Sequence, residues 1–132
     1  MPSIALISDI HANLPALEAV ATSLRSRHPD AVYVLGDIVN GCAWPAETVD
    51  FLVASGWPML TGNHDDAVGQ LGTPRMEPRF GDRERYAQLW WTRSRLSPRH
   101  EQILADLPFE FPLSFDDAPP VRVFGGQQGQ HL

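Results

Sequence analysis

Three short apolar runs, each breaking directly into a polar cluster, constrain the fold of this chain more than any other feature. Ser3 to Ser8, SIALIS, leads to Asp9 and His11. Ala31 to Leu35, AVYVL, leads to Gly36 and Asp37. Pro58 to Thr61, PMLT, leads to Gly62, Asn63, His64 and Asp65. A continuous apolar run of strand length that feeds a helix reads as a buried parallel strand. Helical patterns fill the intervals. Asn13 can serve as N-cap with Pro15 in the first turn, and Leu14, Leu17, Ala21 and Leu24 share one face until His28-Pro29-Asp30. Pro45 to Ser55 forms a second helix, with Val49, Leu52 and Val53 inward and Gly56 as its stop. This βαβαβ alternation predicts an α/β fold with a parallel sheet and right-handed crossovers.

The remainder alternates less cleanly. Gly69 to Gly81 carries three glycines and two prolines and reads as a loop. Asp82 to Arg95 has a helical stripe of Tyr86, Leu89 and Trp90, and the paired Trp90 and Trp91 read as core packing because indole buries so much area. Ser97-Pro98 opens a further helix that reaches Leu107. FEFPLSF (Phe109 to Phe115) and VRVF (Val121 to Phe124) alternate like strands, joined by DDAPP as a hairpin connection. One domain over residues 1–124 is expected, with 125–132 as a frayed tail.

A chain of 132 residues can close a single core. Its net charge of −6 argues against non-specific binding to nucleic acid, which needs a basic surface. Cys42 is the single cysteine, so no intramolecular disulfide can form and a cytoplasmic setting is expected. The N-terminal apolar run is too short for a signal peptide or a membrane span, and no basic region precedes it.

In open α/β sheets, ligands bind beyond the carboxyl ends of the strands. The three polar clusters therefore converge on one rim, which gathers Asp9, His11, Asp37, Asn63 and His64. Carboxylate, imidazole and amide oxygen together suit manganese, iron or zinc. A carboxylate after the middle strand could bridge two such ions, as in two-metal hydrolases. Glycines beside Asp37 and Asn63 let the backbone turn sharply and leave room for a ligand.

DIH, LGDIV and GNHD, in this order and on these strands, resemble the motifs of the calcineurin-like metallophosphoesterases, and DIHANLPALEAV resembles the opening of their small bacterial phosphoesterase branch. The resemblance spans Ile4 to about Phe124. It implies a four-layer α/β/β/α sandwich and hydrolysis of a phosphomonoester or phosphodiester by a two-metal-activated hydroxide. It also implies that Asp9 and His11 hold the first divalent ion, Asp37 bridges both, Asn63 holds the second, and His64 is a non-ligand catalytic residue. Asp65, or Asp66, would orient His64.

The chain departs from that family after VRVF. There the resemblance implies a His-Gly and then a Gly-His-x-His, whose histidines are further ligands. Phe124 is followed instead by Gly125, Gly126 and a glutamine-rich stretch. A C-terminally shortened chain with an incomplete second sheet is therefore expected. His28 and His100 read as surface residues, and His131 lies on the tail. Two readings follow: a metallophosphoesterase, or an inactive remnant that serves as a binding or assembly module. An incomplete second sheet would leave an open edge and a bare apolar face. Self-association as a dimer is expected from these, with Phe111, Phe115, Val121 and Val123 near the contact.

Overall fold

The computed structural model describes residues 2–125. Two parallel strands, β1 (Ile4–Ile7) and β2 (Ala31–Val34), pair in register from Ile4 with Ala31 to Ile7 with Val34. The crossover between them is α1 (Leu14–Arg27). Asn13 caps it by accepting a hydrogen bond from the Ala16 N–H at 3.2 Å, and His28 ends it in the left-handed region. From β2 the chain passes to α2 (Pro45–Ser55), which Gly56 stops with φ of 72°. The third apolar run adds a parallel bridge between Val34 and Met59 rather than a full strand. The ladder ends there because the Thr61 N–H turns away to the carbonyl of Pro108 and Gly62 begins a helix.

That helix, α3 (Asn63–Gln70), carries the third polar cluster and is followed by a short 3-10 turn at Pro78–Gly81. The expected Asp82–Arg95 helix is shorter: Arg83 to Tyr86 form turns, and α4 spans Ala87–Ser94. Next comes α5 (Pro98–Ala105), capped by Ser97. His100 is buried rather than on the surface. Its Nδ1 lies against Ser97 and its Nε2 is 2.8 Å from Asp50 Oδ1, which ties α5 to α2. Strands β3 (Glu110–Phe115) and β4 (Ala118–Phe124) form an antiparallel hairpin around Asp116 and Asp117. Ala118, Pro119 and Pro120 lie within β4 rather than in the connection, as prolines can on an edge strand.

Side chains alternate across a strand, so β1 and β2 present two faces. On one, Ile7 and Val34 pack with Leu17, Val49 and Leu52 of α1 and α2 and with α3, α4 and α5. On the other, Ile4, Tyr33 and Leu35 pack with Leu60 and with Leu113, Val123, Phe111 and Phe115 of the hairpin. The result is an α/β/β arrangement whose second sheet has two strands among the described residues. Of the residues expected at a dimer contact, Val123 is buried and Phe111 and Phe115 face this core. Val121, Phe109 and Phe124 of the hairpin region are exposed, as is Leu6 of β1.

No helix of the described residues is long and apolar enough to cross a membrane. The expected tail, including His131, lies outside the described residues apart from Gly125.

Candidate metal centre

Backbone hydrogen bonds clamp the turns after β1 and β2 together. The N–H groups of Asp9, His11 and Ala12 donate to the carbonyls of Gly36, Asp37 and Ile38 at 3.2, 2.9 and 2.8 Å. The Gly62 turn approaches as closely. A Cβ on Gly36, at φ of 98°, would lie 2.7 Å from the Gly62 nitrogen, and a Cβ on Gly62 would overlap Asp37 Oδ1. Only glycine at both positions lets the two turns touch, and that contact brings Asp37 beside Asn63 and His64.

Strain is concentrated here as well. Among the described residues, non-glycine positive φ occurs at Asp9, His11, Ala12, Asp37 and Asn40, and otherwise only at His28, the α1 C-cap. Each such residue costs on the order of 1–3 kcal/mol and persists only where the surroundings enforce it, which happens most often at functional sites.

The side chains of these turns converge. His11, Asp37 and His64 each offer a ligand atom, and these atoms lie within 4.8 Å of one another. His11 Nδ1 lies 2.8 Å from the Asn40 carbonyl, which can only accept, so Nδ1 carries the proton and Nε2 keeps its lone pair for a cation. Asp9 Oδ1 is 3.4 Å from that Nε2. The Ser8 hydroxyl donates to Asp9 Oδ2 at 2.6 Å and is the main influence holding the Asp9 carboxyl below its ordinary range, with His11 contributing in the same direction. Asp37 Oδ1 accepts the His64 backbone N–H at 3.1 Å, while Asn63 starts α3 beside it. This donor set, the Asp37 carboxylate and two imidazoles with the Asp9 carboxylate alongside, fits a divalent cation.

His64 meets His11 edge to face, with ring centroids 4.8 Å apart. Burial lowers its pKa, and the charge of Asp37 partly opposes that. The group that orients it is Asn40, a residue the sequence reading passed over: its side-chain Nδ2 donates to His64 Nδ1 at 2.9 Å. The Thr92 hydroxyl lies 3.4 Å from Asn40 Oδ1, which fixes the amide the other way round. Asn40 thus holds one imidazole through its carbonyl and the other through its side chain.

Asp65 does not face His64. It is buried, and its carboxylate accepts the N–H groups of Ile38 at 2.9 Å, Val39 at 3.0 Å and Gly62 at 3.0 Å. Burial pushes its pKa up to about 6 against the pull of those three donors. Its position at the third residue of α3 aims it back at the helix entrance, where it pins the Asp37 turn to the Gly62 turn. Asp66 instead accepts from Gln70 Nε2 at 2.7 Å.

Position 125, where the resemblance implies a ligand histidine, holds Gly125. A Cβ there would overlap the carbonyl oxygen of Leu35 and lie 2.7 Å from that of Thr61. The end of β4 therefore reaches the strand-end rim but has no room for a side chain at that residue.

Sequence and fold together match one protein family. Residues 2–126 match the calcineurin-like phosphoesterases, and the chain belongs to that family. It is 33% identical over 105 residues to an uncharacterised protein of Methanocaldococcus jannaschii, a match covering 80% of this chain and 42% of that one. It superposes on the crystal structure of a metallophosphoesterase from Sphaerobacter thermophilus with a TM-score of 0.66 and 34% identity, covering 83% of this chain and 43% of the other. A third protein, assigned provisionally as a diadenosine tetraphosphatase, shares the fold with a TM-score of 0.62 at 20% identity, over 83% of this chain and 46% of that one. The chain thus spans less than half the length of these relatives.

Proposed function

We propose that this chain carries the strand-end half of a metal-dependent phosphoesterase site that acts on phosphomonoesters or phosphodiesters. The observation that carries the proposal is the convergence of His11, Asp37 and His64, with His11 Nε2 left free by the bond from Nδ1 to Asn40. Asp9 and His11 would hold one divalent ion, Asp37 would be shared, and Asn63 would hold a second. Manganese, iron or zinc bound there would supply a nucleophile at neutral pH and neutralise charge on the phosphoryl oxygens. His64 accepts from Asn40 at Nδ1, so its proton sits on Nε2, where it can pass to the leaving oxygen. Asp65 works one step back and keeps the turns that bear Asp37 and His64 in contact.

Manganese-dependent hydrolysis of an aryl phosphodiester tests this reading. Activity is expected in the chain and should be lost in Asp37→Asn. His64→Ala should lower turnover about 10²–10⁴-fold with metal content unchanged. Loss of the metal in that variant would make His64 a ligand instead.

A non-catalytic binding or assembly module is the second reading. It is favoured by Gly125 at a ligand position and by the exposed Leu6, Val121 and Phe124, through which the chain would pair with a second copy. The single cysteine supports a cytoplasmic setting.

A further inference from the structure

We propose that Trp91 and Arg95 form a platform at the rim of the metal centre that binds the base of a mononucleotide-type phosphoester. The proposal rests on the phosphoesterase reading for what is hydrolysed, but the platform itself stands on separate residues. Helix α4 is seated against the site by two hydrogen bonds. Gln88 Nε2 donates to the Gly41 carbonyl at 2.7 Å, and the Thr92 hydroxyl donates to Asn40, the residue that holds both imidazoles. Residues three and four apart share a helix face, so Gln88, Trp91 and Thr92 lie on the side of α4 turned toward the Asn40–Gly41 turn, and Arg95, the C-cap residue in right-handed helical backbone, follows one turn after Trp91.

The two neighbouring tryptophans are used differently. Trp90 is half-buried in the core, donates its ring N–H to the Phe80 carbonyl at 2.7 Å, and is covered by the Arg83 guanidinium 3.7 Å from its centroid. Trp91 remains 42% exposed, with the Arg95 guanidinium 5.7 Å from its ring centroid. Arg95 is exposed and makes no ion pair among the described residues. The exposed indole offers a flat apolar face on which a base can stack. Three residues past Gly41, Trp44 is exposed as well.

Of the seven arginines from Arg75 to Arg99, Arg75, Arg79, Arg93 and Arg99 each pair with a carboxylate, and Arg83 and Arg85 lie over Trp90 and Tyr86, whereas Arg95 lies beside the exposed Trp91. A flat ring on Trp91 with a phosphate beside Arg95 satisfies both groups, since indole stacking is tolerant of base identity and guanidinium prefers phosphate geometry. The net charge of −6 disfavours a polynucleotide, so the ligand proposed is a single nucleotide.

Equilibrium binding of adenosine 5′-monophosphate and of ribose 5-phosphate, measured in the presence of a chelator, tests the platform apart from any metal chemistry. Both ligands carry the same phosphate, and only one carries a base. The nucleotide is expected to bind about tenfold tighter. That preference should vanish in Trp91→Ala, be kept largely by Trp91→Phe, and coincide with quenching of tryptophan fluorescence. Arg95→Ala should weaken both ligands and flatten their salt dependence. Equal affinity for the two ligands, or a preference that survives Trp91→Ala with unchanged circular dichroism, would overturn the inference. Hydrolysis of the aryl phosphodiester with manganese is scored separately, so base-selective binding without turnover would count against the phosphoesterase reading alone.

Discussion

The two faces of the small parallel sheet are covered to different degrees. Toward the helices, Val34, Leu17, Val49 and Leu52 are all at most 2% exposed. Toward the hairpin, Ile4, Tyr33 and Leu35 are covered, but Leu6, on the same face two residues from Ile4, is 48% exposed. A strand of a parallel sheet is normally buried on both faces. The comparison teaches that the helix side closes by itself and fixes the turns of the site, whereas the hairpin side covers only part of the sheet. The site depends on the closed side, because Asp65, Asn40 and Thr92 all reach it from there.

The largest effect should come from the group that joins the closed side to the site. Asp65→Ala strands three buried N–H groups, and each unsatisfied donor costs about 1–3 kcal/mol. A loss of about 3–5 kcal/mol is expected in urea unfolding, a large share of the stability of a small domain. A loss under 1 kcal/mol would mean that the turns hold together without it. Leu52→Ala, a core truncation on the helix face, should cost about 2–5 kcal/mol by the same measurement.

A pH series sharpens the role of Asp65. Its folded pKa is raised from 3.8 to about 6, so the folded chain keeps a proton that the unfolded chain has released. The contribution of this group to stability is therefore fully present below about pH 4 and declines as the pH rises to 6. Asp65→Asn removes that slope, so the variant should compare better with the parent at pH 7 than at pH 4. A penalty that does not change with pH would show that the carboxyl is ionised throughout.

The smallest effect on stability belongs to the open side. Leu6→Ser should shift unfolding by no more than about 0.5 kcal/mol, as for an exposed position. Its consequence should instead be on association: light scattering should show a smaller mean mass for Leu6→Ser with Phe124→Ser than for the parent. A cost of 2 kcal/mol or more would mean that Leu6 is covered after all, and the asymmetry between the faces would be gone.

Much of the closed side was legible in the sequence. SIALIS, AVYVL and the two helices between them carry strong periodicity, and Asn13, Pro15, Pro45 and Gly56 mark their ends by local chemistry. Helix α3 is not legible in the sequence, because NHDDAVGQ has few apolar residues to set a period and includes a glycine. The third strand shrank to a bridge because Thr61 bonds to Pro108, a contact with no local sequence signal. The convergence of the polar clusters followed from strand order alone. The particular roles of Asn40 and Asp65 did not. Asn40 looks like an ordinary turn residue until Thr92, more than fifty positions away, fixes its amide. Asp65 sits beside a histidine in sequence but points at a different turn in space, a direction set by the first turn of a helix. The split between Trp90 and Trp91 was hidden for a similar reason: neighbours on a helix diverge, and Phe80 and Arg83 engage only one of them.

The central claim is that the clamped turns hold a divalent ion through Asp37 and His11, and calorimetric titration with manganese tests it most directly. A binding event is expected in the parent chain and should disappear in Asp37→Ala, with circular dichroism unchanged. Manganese binding of undiminished affinity in that variant would place the site elsewhere and contradict the account.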